Sequence, residues 1–207
     1  MLMRVAVLFS GGKDSVFAAF WAIAQGFDPV LVTVKPPEYS MMFHHPNVEL
    51  TARQAESLGI EHVFVETSEE NWSEVLTETF RGLGARGIVA GAIASEYQRR
   101  RIDRIGESLG IPTYAPLWHK GDEVMGEMLI YMEIIVTAVS AEGLGPEYLG
   151  EPLEKIVKAK KPGIHPFLEG GEGETFVANA PFFKNRIKIK KVKKSWDGVR
   201  GVAELEA

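Results

Sequence analysis

Val5-Ala6-Val7-Leu8-Phe9-Ser10-Gly11-Gly12-Lys13-Asp14-Ser15 is the stretch that decides the fold. Five consecutive apolar residues fit a strand buried on both faces, as in the interior of a parallel sheet. Ser-Gly-Gly then turns the chain, and residues 14–25 read as a helix. Val16, Phe20 and Ile23 share one face of that helix, with Phe17 and Trp21 beside them and Gly26 as the stop.

Working outward, the same alternation repeats. Residues 30–34, 62–65 and 87–93 read as further strands, with 112–115 short and extended. Residues 48–58, 73–83 and 95–109 read as helices that end at or near a glycine. The pattern predicts an α/β fold, an open parallel sheet with helices on both faces. Past Leu117 it changes. A helix over 123–131, a strand over 133–140, a helix over 152–160 and strands over 176–180, 186–193 and 199–205 predict a smaller C-terminal α+β portion. The last two strands flank a turn at Asp197-Gly198. The expected organisation is a nucleotide-binding domain over residues 1–117 and a substrate-binding portion over 118–207.

The chain has 207 residues, 45% hydrophobic and 25% charged, which suits a globular protein with a sizeable core. Its formal net charge of -5 gives no general attraction to nucleic acid or an acidic membrane. There is no cysteine, so disulfides, thiolate metal sites and a cysteine nucleophile are excluded in this chain. The apolar run at the N-terminus is too short for a signal segment or a membrane span, and a cytoplasmic protein is expected.

Residues 10–15 have the makings of an anion site. Glycines allow close backbone approach, and the helix start offers N–H groups and the positive end of its dipole. Ser10 and Ser15 add hydroxyls and Lys13 adds a cation. The loop is not the Walker type, which needs glycine where Val7 stands and Ser or Thr where Asp14 stands. A glycine turn followed by an Asp cap is the plain structural alternative.

Three further segments stand out. Glu169-Gly170-Gly171-Glu172-Gly173-Glu174-Thr175 concentrates carboxylates that need a cation, N–H donors or open solvent. Gly91-Ala92-Ile93-Ala94-Ser95-Glu96-Tyr97-Gln98-Arg99 follows the carboxyl end of the fourth strand, where ligands of open α/β sheets bind. Tyr39-Ser40-Met41-Met42-Phe43-His44-His45-Pro46 pairs two histidines, but adjacent residues rarely face one ligand and no partner lies at ligand spacing.

The six residues 10–15 resemble the SGG-x-DS pyrophosphate loop of the N-type ATP pyrophosphatases, a HUP-like superfamily. With the three segments added, in order and over about residues 4–180, the chain resembles the diphthine–ammonia ligase family. Met41 stands where that family often has tyrosine. The resemblance implies ATP and Mg²⁺ as co-substrate and cofactor. Ser10, Gly11, Gly12, Lys13, Asp14 and Ser15 would bind ATP, and Asp14 would contact the metal. Lys13, Asp14 and Glu172 would be catalytic. His44, Ser95, Tyr97, Gln98, Arg99, Glu169, Gly170, Gly171, Glu172, Glu174 and Thr175 would bind substrate.

It also implies a reaction. The carboxylate of diphthine on translation elongation factor 2 is adenylated, and ammonia displaces AMP to give diphthamide. Neither step needs cysteine, so free ammonium, or ammonia from a separate partner, fits this chain. Glu169, Glu172 and Glu174 would suit ammonium or a trimethylammonium group, with Tyr39, Phe43, Tyr97 or Trp118 offering aromatic faces. The competing readings are a tRNA-modifying adenylating enzyme and a non-catalytic ATP-binding module. RNA is not favoured as a partner, and a homodimer is left open. The basic run from Lys184 to Lys194 reads either as an edge strand blunted by lysines or as a docking surface.

Overall fold

The computed structural model describes residues 2–35, 47–68, 70–91, 96–140 and 142–207, with the side chains of Tyr97 and Gln98 excepted. The chain divides into two compact units. The first takes Met1–Ser10, Asp14–His44 and Leu58–His119, and the second takes Gly11–Lys13, His45–Ser57 and Lys120–Ala207.

The first unit is built on five parallel strands: β1 (Arg4–Leu8), β2 (Asp28–Lys35), β3 (Glu61–Glu66), β4 (Ile88–Val89) and β5 (Thr113–Tyr114), in the order β3-β2-β1-β4-β5. The helices are α1 (Lys13–Ala24), whose first residue falls in the second unit, then α3 (Trp72–Gly82) and α4 (Glu96–Leu109). A helix between β2 and β3, α2 (Thr51–Leu58), belongs almost entirely to the second unit. The chain leaves β1 for β2 on one side and returns to β4 on the other. The order therefore reverses at the carboxyl ends of β1 and β4, the place where open α/β sheets hold ligands.

Helices cover both faces of this sheet. Adjacent strand residues point to opposite faces. On β5, Thr113 meets Asp103 of α4, while the Tyr114 ring lies 5.6 Å from Trp21 of α1. Under α3 and α4, the core joins Ala6, Val32, Val34, Val65, Trp72, Leu76, Phe80, Ile88 and Ile105. Trp72, Leu76 and Phe80 recur every four residues, so one stripe of α3 is buried. Each such side chain contributes about 1.5–3 kcal/mol of burial.

The buried face of α1 differs from the expected one. Val16, Ala18, Ala19 and Ala22 are fully covered, whereas Phe17, Phe20, Trp21 and Ile23 are only partly so. Small side chains let the helix lie close to the sheet, and the large ones fill its flanks. Gly91 makes the same close approach from the other side. A Cβ there would sit 2.6 Å from the backbone carbonyl of Asp14.

The second unit contains an antiparallel sheet of β6 (Glu133–Val139), β7 (Gly173–Asn179), β8 (Lys191–Trp196) and β9 (Gly201–Glu206), in the order β7-β6-β9-β8. Two helices precede or interrupt it, α5 (Asp122–Tyr131) and α6 (Glu154–Ala159). Phe176, Ala178, Ile187 and Leu205 form a core, with Leu50 among the residues packed on it. Asp197 closes the β8–β9 turn, and its carboxyl is held below its ordinary pKa by the N–H groups of Arg200 and Val199.

The strand expected over 186–193 is displaced, because β8 begins only at Lys191. The chain before it is tied to α2 at Ser57 and to β7 through Ile187 N, which donates to Ala178 O at 2.8 Å. The Ser57 hydroxyl donates to Asn185 O at 2.5 Å, and Lys184 N donates to Ser57 O at 2.8 Å. β8 is an edge strand, and its lysines are exposed. Arg186 pairs with Glu133 at 2.5 Å and Lys193 with Glu206 at 2.8 Å. Among the described residues, no helix is long and apolar enough to cross a membrane.

Candidate nucleotide and substrate site

Phe9 carries the chain from β1 into the loop, and it is fixed from both directions. Its N–H donates to Val32 O at 2.9 Å, and its carbonyl accepts from the buried Thr33 hydroxyl at 2.6 Å. Thr33 has a single hydroxyl hydrogen, which is spent on Phe9. His62 Nε2, 2.8 Å from the same oxygen, must therefore be the donor, and neutral His62 carries its proton there. Burial, then the Lys35 charge, lowers the His62 pKa from its ordinary value of 6.5. A chain of hydrogen bonds thus runs across three strands to the residue before the loop.

Within the loop, Ser10 Oγ donates to Ser15 Oγ at 3.2 Å. Gly11 has φ +80, and a Cβ on it would stand 2.3 Å from Gln54 Oε1. Both constraints call for glycine. The Gly11 carbonyl accepts from Val177 N at 3.0 Å and from Gln54 Nε2 at 2.9 Å. At the start of α1, Lys13 N donates to the Thr175 hydroxyl at 3.2 Å. A helix start has N–H groups with no partner inside the helix, and here a side chain 162 residues away accepts one.

The acidic segment reaches the same place. Lys13 Nζ lies 2.5 Å from Glu169 Oε1, with only 5% and 15% of the two side chains exposed. Glu172 is also buried, but its oxygens point elsewhere. Oε1 accepts from His165 N at 2.8 Å and Oε2 from Gly170 N at 2.7 Å. The three carboxylates expected to act as one anionic cluster therefore have separate surroundings. Glu169 meets the loop lysine, Glu172 braces its own segment, and Glu174 is half-buried on β7. Gly171 O accepts from the Ser140 hydroxyl at 3.0 Å, which ties the segment to the end of β6.

Arg99 sits 3.5 Å from Asp103 and stacks over the Trp118 ring at 4.6 Å. The Trp118 face expected to receive a substrate cation is thus taken by Arg99. Tyr97 and Gln98 lie on α4, but their side chains are outside the described residues, as are His44, Ser95, Tyr39 and Phe43. Among the described residues, no group of three or more His, Asp or Glu side chains is arranged to hold a metal ion. Sequence reading passed over Gln54, Thr33 and His62. Gln54 is a polar residue inside an amphipathic helix, and only its complete burial marks it.

The profile of the diphthamide synthase N-terminal domain matches residues 3–113, and that of the C-terminal domain matches residues 120–207. Among curated proteins, diphthine–ammonia ligase of Bos taurus is 32% identical over 221 residues, covering 90% of this chain and 83% of the relative. The Homo sapiens protein of the same name is 32% identical over 222 residues, with the same coverage. Among solved structures, one described as a predicted subunit of tRNA methyltransferase from Methanocaldococcus jannaschii aligns at 19% identity. Its TM-score is 0.49, and the alignment covers 87% of this chain and 98% of that one. With both domain profiles in sequence order along it, and relatives matched over nine-tenths of its length, this chain belongs to the diphthamide synthase family.

Proposed function

We propose that this chain amidates diphthine on translation elongation factor 2, using ATP and ammonium and releasing AMP and pyrophosphate. Family membership makes it a ligase that forms a C–N bond. The observation that supports the finer reading is the Lys13–Glu169 contact at 2.5 Å. It joins the loop suited to phosphate with the acidic segment that distinguishes the family from other synthetases with the same loop.

In this reading, the β- and γ-phosphates of ATP lie against residues 10–15. A carboxylate oxygen of diphthine attacks the α-phosphorus, and the bond from that phosphorus to the bridging oxygen breaks. Pyrophosphate leaves with its charge met by Lys13 and the start of α1. Ammonium first loses a proton to water; the nitrogen of the resulting ammonia attacks the acyl carbon and loses a second proton to water, and AMP departs with the electron pair of the broken C–O bond. Asp14 supplies a single carboxylate beside the phosphates, which suits Mg²⁺, an ion usually held by one or two carboxylates and substrate oxygens. When bound, that ion would offset phosphate charge.

Lys13 and Asp14 act on the phosphates. Glu172 shapes the segment that presents Glu169 to Lys13, and so acts one step removed from the substrate. Residues 118–207 contribute the protein-substrate side, because the acidic segment lies within them. The absence of cysteine fits ammonia taken up as such.

The test is AMP formation by the full chain with ATP, Mg²⁺ and ammonium, in the presence of diphthine-bearing elongation factor, of bulk tRNA, or of neither. AMP release that depends on the factor and on ammonium is the expected outcome. Release that depends on tRNA, or none at all, contradicts the proposal.

A further inference from the structure

Gln54 is completely buried on α2, and no part of the reaction outlined above uses it. Its Nε2 donates to two carbonyls, Gly11 O at 2.9 Å and Val177 O at 2.8 Å. Since both partners are acceptors, the amide orientation is fixed by chemistry: the group between them must be the NH₂. Its oxygen lies against the Gly11 α-carbon, where a Cβ would be 2.3 Å away. Val177 N also donates to Gly11 O at 3.0 Å. The Gly11 carbonyl is therefore held by two donors, and the glycine that bears it admits no side chain.

A peptide unit is planar and trans, so its C=O and N–H point in opposite directions. The carbonyl of Gly11 and the N–H of Gly12 share one such unit. Holding the carbonyl toward β7 turns the Gly12 N–H away from β7. Glycine on both sides of this peptide would otherwise let it flip at small cost.

We infer that Gln54 is a positioning residue that locks the Gly11–Gly12 peptide with its N–H directed at the leaving pyrophosphate. The inference rests on the proposal that residues 10–15 hold the β- and γ-phosphates of ATP. Within it, Gln54 touches no substrate. It acts through the peptide, and its effect falls on ligands that carry a pyrophosphate unit.

The experiment is calorimetric titration of the full chain with inorganic pyrophosphate, ATP and AMP, each with Mg²⁺. Wild type is compared with Gln54→Met, which keeps the volume and removes the donor. The variant should bind pyrophosphate and ATP at least about tenfold more weakly, with AMP affinity unchanged. A merely structural role would instead lower the thermal midpoint and the active fraction, with equal effect on all three ligands.

If Gln54→Met does not fold, Gln54→Glu decides. Its ionised carboxylate faces two carbonyls and cannot donate, whereas the protonated form donates once. The ratio of variant to wild-type pyrophosphate affinity should then rise as pH falls. Unchanged pyrophosphate affinity, a ratio flat with pH, or equal weakening of AMP overturns the role of Gln54. Wild type that binds neither ATP nor pyrophosphate overturns the nucleotide reading itself.

Discussion

At the scale of single residues, Lys13 and Glu169 link the loop to the acidic segment. Both side chains are largely withdrawn from solvent, and their charged atoms lie 2.5 Å apart. Removing one partner of such a pair leaves the other charge uncompensated, which costs about 3–5 kcal/mol. Lys13→Met and Glu169→Gln should each destabilise the protein to that order. The double substitution should cost clearly less than the two combined, because neither charge is then stranded. Urea unfolding of the four proteins measures this, and additive losses would mean that the contact is not a real ion pair. AMP formation should fall in every variant that lacks Lys13. The strand, glycine turn and helix start around residues 10–15 were legible in the sequence from the apolar run and the two glycines. The role of Glu172 was not. It was expected to be catalytic with Lys13 and Asp14, and only the backbone path shows its carboxylate accepting from His165 and Gly170.

At the scale of elements, β1, β2 and β3 are cross-linked by His62, Thr33 and Phe9 just before the loop. The His62 pKa is lowered first by burial and then by the Lys35 charge. In the unfolded chain the imidazole takes a proton at its ordinary value near 6.5, while the folded one resists until lower pH. The stabilisation is therefore complete above the unfolded value and is lost as pH falls through the folded one. Over that interval, the urea midpoint of wild type should decline more steeply than that of His62→Gln, which keeps a donor for Thr33 but does not titrate. Parallel declines would contradict this account of the histidine. The elements themselves were readable from apolar runs and glycine stops. The buried face of α1 and the start of β8 were not. Close packing selected small residues over large ones on α1, and the chain ahead of β8 makes isolated hydrogen bonds to Ser57 and Ala178 rather than a strand ladder. Neither effect leaves a periodic trace in the sequence.

At the scale of the whole molecule, a loop near residue 10 and a segment near residue 170 depend on one another. β7 provides the Thr175 hydroxyl for Lys13 N and Val177 N for the Gly11 carbonyl, and Glu169 lies four residues before β7 begins at Gly173. The parallel-sheet and α+β character could be read from the order of strands and helices, whereas this mutual dependence could not, since nothing in a sequence gives the distance between residues so far apart. In the proposed reaction, cleavage of ATP is spent on one new C–N bond. The most direct measurement supplies heavy-nitrogen ammonium, ATP and diphthine-bearing elongation factor, then determines by mass spectrometry where the label lies and whether AMP or ADP is formed. The proposed reaction places the label in the amide of the modified histidine, with AMP formed in equal amount. AMP formed without label in the factor, or label accompanied by ADP, would contradict it.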